Sequence, residues 1–140
     1  MRYEMPKVTA RFALPLLLLA MTTFSVADPE VKRTYSDVQY VEESGDRVGV
    51  EVQMTMGHDG KVTGVLLHYE GLDAHPIAFV GRLDTDRLTA SGSMADTRVT
   101  IEARLLDERL IGVIRYHLTR QVNEIEIDLP KVTRTRAKKE

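Results

Sequence analysis

The residues that could carry chemistry are four histidines and several aspartates beside tight turns. A zinc site needs three histidines, or two and a carboxylate, at one point in space. His58 and His75 fall at opposite ends of the predicted strands. His68 and His117 fall on outward faces of strands that are not neighbours. The spacing therefore predicts no metal site, and we interpret His117 as a cross-strand partner of Glu124.

The segment Leu83-Asp84-Thr85-Asp86 comes nearest to a catalytic motif. It has the hydrophobic-Asp-Thr order of an aspartic protease loop, but Asp86 stands where those enzymes need glycine. Aspartate also favours tight turns because its carboxylate accepts hydrogen bonds from the nearby backbone. Serine nucleophile elbows, glycine-rich phosphate loops and HExxH are absent from the sequence. We therefore predict a protein that is not an enzyme and holds no cofactor.

From Tyr35 onward the hydrophobic period is two, which is typical of strands with one buried face. Turn residues separate the alternating runs. They predict eight strands, at 34–42, 47–57, 61–70, 76–84, 87–94, 97–106, 109–118 and 122–129. Eight antiparallel strands joined by hairpins form an all-β meander, which closes most easily into an up-and-down barrel because closure removes exposed edges. A two-sheet β-sandwich is the alternative.

The last hairpin also predicts a register. A two-residue loop at 120–121 sets Ile125 opposite Tyr116 on the inner face and Glu126 opposite Arg115 on the outer face, so apolar and charged pairs agree. Some aliphatic residues are left over on faces predicted to point outward. They are Val62, Leu66, Ile111 and Val113, and they form either a contact surface or scattered exposed aliphatics.

The first 27 residues are typical of a secretory signal peptide. Three basic residues precede position 12, an apolar run covers 12–20, and Ser25-Val26-Ala27 supplies the small residues that signal peptidase accepts. The apolar run is shorter than the roughly 20 residues of a membrane-spanning helix. We predict cleavage after Ala27, a periplasmic location and no transmembrane segment in the mature protein.

The mature chain is predicted to be one cysteine-free domain at 28–130, followed by a basic, disordered tail at 131–140. The domain has 11 basic and 19 acidic side chains. Such a balance argues against a nucleic-acid partner, because phosphates would be repelled. The absence of cysteine also removes thiolate chemistry and thiolate metal sites.

A meander brings alternate loops to the same end, and the longer predicted loops share one end. Loops on a rigid frame often carry binding residues, so we predict a protein-binding site there. Its residues are Glu43, Asp46, Asp73, His75, Asp96 and Arg120. The other end collects shorter turns with Asp59, Asp84, Asp86, Asp107 and Glu108. An acidic surface complements the cationic clefts of enzymes that act on anionic glycans and speeds encounter with them.

This organisation (exported, meandering and without catalytic motifs) resembles that of small periplasmic β proteins that inhibit lysozymes or neutralise envelope-attacking toxins. The resemblance rests on no shared motif, so no residue role is carried over. It implies a non-enzymatic inhibitor or immunity protein that caps a cell-wall- or envelope-targeting enzyme. One alternative is a lipocalin- or avidin-like carrier of a small apolar ligand. Another is a small outer-membrane β-barrel, for which the aromatic residues are few.

Overall fold

The structure is a computed structural model that describes residues 2–3 and 30–133. Most of the predicted signal peptide and most of the predicted tail lie outside the described residues. Within them the chain forms strands and turns and no helix. The strands are β1 (Val31–Ser36), β2 (Gln39–Val41), β3 (Asp46–Met56), β4 (Lys61–Gly71), β5 (Ala74–Asp84), β6 (Arg87–Met94), β7 (Thr97–Leu105), β8 (Arg109–His117) and β9 (Val122–Pro130).

All nine strands belong to one antiparallel sheet with the order β1-β3-β4-β5-β6-β7-β8-β9, and β2 pairs with β3 beyond the end of β1. The sheet curls into a half-barrel, and its first and last strands meet at one bridge between Tyr35 and Lys131. The Val132 N–H also donates to the Thr34 carbonyl at 2.8 Å. The all-β antiparallel meander is therefore confirmed, as one curled sheet instead of two stacked ones.

The predicted first strand is divided in two by a bulge at Asp37 and Val38. The Val50 N–H donates to Asp37 Oδ1 at 2.7 Å, and the Asp37 N–H donates to the Val50 carbonyl at 3.1 Å. Opposite them Gly49 has φ +133°, a conformation that side chains disfavour. A Cβ on Gly49 would lie 2.8 Å from Val38 Cα. The close approach of the two backbones thus requires glycine at this position.

The inner face of the curled sheet is a continuous apolar core. Its largest fully buried side chains are Tyr35, Leu66, Leu88, Ile101, Leu110, Ile114 and Leu129. Phe79 lies between two glycines in the cross-strand register, Gly64 and Gly92. A Cβ on Gly64 would lie 2.5 Å from Phe79 Cζ. Glycine at such inward positions lets neighbouring strands bend tightly while the aromatic ring covers the gap.

The predicted orientation of β4 was wrong. Val62 and Leu66 were expected to point outward, but both are 0% exposed and belong to the core. This strand has aliphatic residues on both faces, because Val65 and Leu67 are half-buried on the other side. Alternation in β4 alone therefore does not choose a face. The choice is made by pairing, which sets Leu66 beside Val52.

The predicted register of the last hairpin was also wrong, by two residues. The structure sets Ile125 opposite Ile114 and Glu124 opposite Arg115, and the connection is the four-residue loop 118–121. A shift of two residues returns every side chain to the same face of the sheet. Ile125 still meets an apolar residue, and Arg115 still meets an acid, Glu124. The other two acids of β9 now lie opposite aliphatic residues, Glu126 opposite Val113 and Asp128 opposite Ile111.

Candidate functional site

The six predicted partner-binding residues lie at one end of the half-barrel, which we call the rim end. It is formed by the connections 42–45, 72–73, 95–96 and 118–121. Glu43, Asp73, Asp96 and Arg120 lie in these connections, while Asp46 begins β3 and His75 is the second residue of β5. Asp46 is half-buried and the other five are exposed. The connections at the opposite end, 57–60, 85–86 and 106–108, are of similar length, so the expected difference in loop length is absent.

The rim end also carries large apolar side chains that the sequence reading did not single out. Seven of the twelve exposed large hydrophobic residues within 30–133 lie there. They are Tyr40, Val41, Val48, Leu72, Met94, Leu118 and Val122. Leu72 is 75% exposed and Tyr40 is 65% exposed. In the sequence, an apolar residue near the end of a strand looks like any other residue of the buried face. Its exposure becomes evident only in the structure, where the strand extends beyond the core.

Apolar and acidic residues alternate along the rim end because of the strand register. Val41 pairs with Asp46, and Val48 pairs with Glu70. Directly opposed residues in an antiparallel pair lie on the same face of the sheet with their Cβ atoms about 5 Å apart. The rim end is therefore a mixed surface in which carboxylates lie next to exposed aliphatic side chains.

Two acids of the opposite end, Asp59 and Asp86, have partners within residues 30–133, whereas the other three acids named there have none. At the opposite end, Arg104 donates to Asp86 Oδ2 at 2.7 Å, and this bond lowers the pKa of Asp86. The Lys61 N–H donates to Asp59 Oδ1 at 3.1 Å. At the rim end, the carboxylates of Glu43, Asp46, Asp73 and Asp96 form no side-chain hydrogen bond or ion pair with a described residue. These four carboxylates are available to a partner.

A polar cluster lies on the inner face just below the rim end. His68 Nε2 is 3.5 Å from Glu70 Oε1, and the His68 ring centroid is 5.8 Å from that of Tyr116. His75 is opposite His68 in the register. The prediction that His68 faces outward was wrong, for the same reason as for the rest of β4. Burial first, and then the charge of Glu70, raises the pKa of Tyr116 to about 12, so its phenol is protonated at neutral pH.

His117 has a different partner from the expected one. Its Nε2 lies 3.1 Å from Thr100 Oγ1, whereas Glu124 accepts from Arg115 Nε at 2.8 Å. Arg115 also donates to Glu102 at 3.1 Å. Within residues 2–3 and 30–133, no three histidine or carboxylate side chains are arranged so that they could hold a metal ion.

Comparison of this chain with protein families, with curated proteins and with solved structures gives no match. Over the described residues, no helix has the length and apolar character needed to cross a membrane. Conclusions about binding therefore rest on the rim end itself.

Proposed function

We propose that the protein is an exported, non-enzymatic binding protein that uses its rim end to cap an envelope-targeting enzyme, as an inhibitor or immunity protein does. The observation that carries this proposal is the coincidence of seven exposed apolar side chains with four available carboxylates at one end of the curled sheet. Exposed large apolar side chains next to polar ones are typical of protein–protein contact sites.

The two components of the rim end have different roles in binding. Leu72 and Tyr40 are the most exposed of its apolar side chains. Burial of large side chains in a partner's pocket supplies most of the affinity of a typical interface. The acids Glu43, Asp46 and Asp73 attract a cationic partner and speed association, which makes the on-rate depend on salt. A cleft that binds anionic glycans has the complementary charge.

The packed core does not favour the alternative in which the protein carries a small apolar ligand. Eighteen apolar residues are buried on the inner face of the half-barrel, and packed side chains at those positions take up the space that a small apolar ligand would need. Four surface depressions among the described residues have outward-facing side chains in their walls. The frame thus favours binding through its surface.

The test measures binding and inhibition with a panel of purified peptidoglycan hydrolases that have cationic clefts. The first variant combines Leu72→Ser with Tyr40→Ser, and the second changes Glu43, Asp46, Asp73 and Asp96 to asparagine or glutamine. The matched control changes Leu106→Ser, Asp59→Asn and Asp84→Asn at the opposite end. We expect the first variant to raise Kd at least tenfold, mainly through dissociation. The second should slow association.

The control variant should bind as the wild type does. Except for Asp46, which is half-buried, all these changes are on exposed side chains. Substitutions of exposed side chains usually move stability by no more than about 0.5 kcal/mol, and thermal unfolding checks that each variant folds. The proposal fails if the wild type inhibits no hydrolase of the panel. It also fails if the control variant loses binding as much as the rim-end variants do.

A further inference from the structure

The outer face of β5, β6, β7 and β8 holds an open groove of about 800 Å³. Four arginines line it, and three of them are Arg82 on β5, Arg87 on β6 and Arg98 on β7. None of the three forms an ion pair with a residue in 30–133. We call this surface the arginine groove. Its position on the outer face of the central strands separates it from the rim end.

The concentration of positive charge in this groove runs against the composition of the domain. The domain has 19 acidic and 11 basic side chains, yet four arginines line the groove against two carboxylates, Asp84 and Glu102. The fourth arginine, Arg115, is already held by Glu102 and Glu124. Exposed guanidinium groups bind carboxylate and phosphate oxygens through two parallel N–H donors.

The strand register sets the spacing of the charges. Arg82 pairs with Thr89, and Arg98 pairs with Ser93. Arg82 and Arg98 are therefore two strands and four residues apart, with Ser91 between them. With strands about 4.8 Å apart and a rise of about 3.4 Å per residue, their Cα positions are roughly 16 Å apart. An extended polymer with repeated anionic groups is long enough to contact both side chains.

The floor of the groove favours a saccharide over other polyanions. Thr89, Ser91 and Thr100 present short hydroxyl side chains on adjacent strands, and hydroxyls donate to and accept from sugar hydroxyls. Strands β5 to β8 are each paired on both sides, so a peptide cannot bind here as an added strand. No Phe, Tyr or Trp side chain lines the groove, and its one ring is the imidazole of His117, which lies 3.1 Å from Thr100 Oγ1. The groove therefore lacks the row of aromatic side chains on which successive bases of a single-stranded nucleic acid stack.

We propose that the arginine groove binds an extended anionic saccharide. The guanidinium groups of Arg82 and Arg98 bind acidic groups at the two ends of the bound segment, and the hydroxyl of Ser91 bonds to a sugar hydroxyl between them. Arg87 adds a third positive charge on the Arg82 side. The site is independent of the function proposed for the rim end, since the two surfaces share no residue.

The experiment measures binding of defined oligosaccharides to the full-length mature protein by calorimetry. Oligogalacturonate supplies carboxylates and a phosphorylated lipopolysaccharide core oligosaccharide supplies phosphates, so the two arms separate the possible sources of the anionic group. A neutral oligosaccharide of equal length and a polyglutamate of equal charge are the controls. We expect at least one anionic saccharide to bind tenfold more tightly than both controls, with an affinity that falls as salt rises.

The variants locate the site. Arg82→Gln with Arg98→Gln should weaken saccharide binding at least tenfold, and Ser91→Ala should weaken it about threefold while the salt dependence is unchanged. The matched control, Lys32→Gln with Arg47→Gln, removes two exposed basic side chains outside the groove and should leave Kd within twofold. The proposal is overturned if polyglutamate binds as tightly as the saccharides, if neither anionic saccharide binds, or if the control pair weakens binding equally.

Discussion

Replacing Asp37 by alanine tests how the chain is held at the break between β1 and β2. The Val50 N–H, which donates to Asp37 Oδ1 at 2.7 Å, would lose its acceptor next to a side chain that is only 4% exposed. A buried backbone donor without a partner costs about 1–3 kcal/mol. Because the acceptor is a carboxylate, we expect Asp37→Ala to lower the free energy of unfolding by about 2 kcal/mol. Asp37→Asn keeps an oxygen acceptor and should cost less than about 1 kcal/mol.

The assay is urea unfolding of the two variants beside Gly49→Ala and the double variant Asp37→Ala/Gly49→Ala. A Cβ on Gly49 would lie 2.7 Å from Asp37 Oδ1 at a φ of +133°, so Gly49→Ala should cost about 1–3 kcal/mol. The double variant should cost less than the sum, because both changes disrupt the same contact. Equal costs for Asp37→Ala and Asp37→Asn would refute the hydrogen bond as the cause.

Three further predictions separate the observed pairing from its alternatives. Leu66→Ala should lower the free energy of unfolding, measured with urea, by about 2–5 kcal/mol, because Leu66 is fully buried. A loss near zero would indicate that Leu66 faces outward, as the sequence predicted. Arg115 and Glu124 are hydrogen-bonded at 2.8 Å, so a double-mutant cycle should give this pair a coupling energy of about 0.5–1 kcal/mol. The same cycle for Arg115 and Glu126 should give a coupling energy near zero. A larger coupling for Glu126 than for Glu124 would favour the register predicted from the sequence. The pKa of Tyr116 is raised to about 12 in the folded protein, against about 10 in the unfolded chain. The resulting contribution to the free energy of unfolding is therefore fully present below about pH 10 and is lost as the pH rises through about 12. Tyr116→Phe should remove this loss, and an unchanged pH profile of unfolding would contradict it.

The strands and their connections could be predicted from the sequence because alternation is a local property. Period-two runs such as 48–56 place one apolar face on each strand, and turn residues mark where strands end. Seven of the eight predicted strands correspond to single observed strands within a few residues. The exception is the first, in which the break depends on the contact of Asp37 with Val50, a residue of a different strand.

The gathering of the candidate binding residues at the rim end could be predicted only in part. Topology alone brings Glu43, Asp73 and Asp96 to one end, because alternate connections of a meander share an end. The sequence reading did not single out the exposed apolar residues of the same surface: Tyr40 lies within a predicted strand, and Leu72 lies in a predicted connection. The structure therefore changed the expected site from an acidic rim to a mixed apolar and acidic one.

What the sequence by itself determined is the set of strands, their order and their antiparallel direction, because each follows from neighbouring residues. The tertiary structure decided which face of β4 is buried and which register joins β8 to β9. In β4 either face could be buried, because Val62 and Leu66 lie on one face and Val65 and Leu67 on the other. In β9, Ile125 can pair with Tyr116 or with Ile114 and stay on the same face of the sheet. The side-chain pattern is the same for both outcomes in each case, so contacts with the neighbouring strands and the geometry of the loop make the choice.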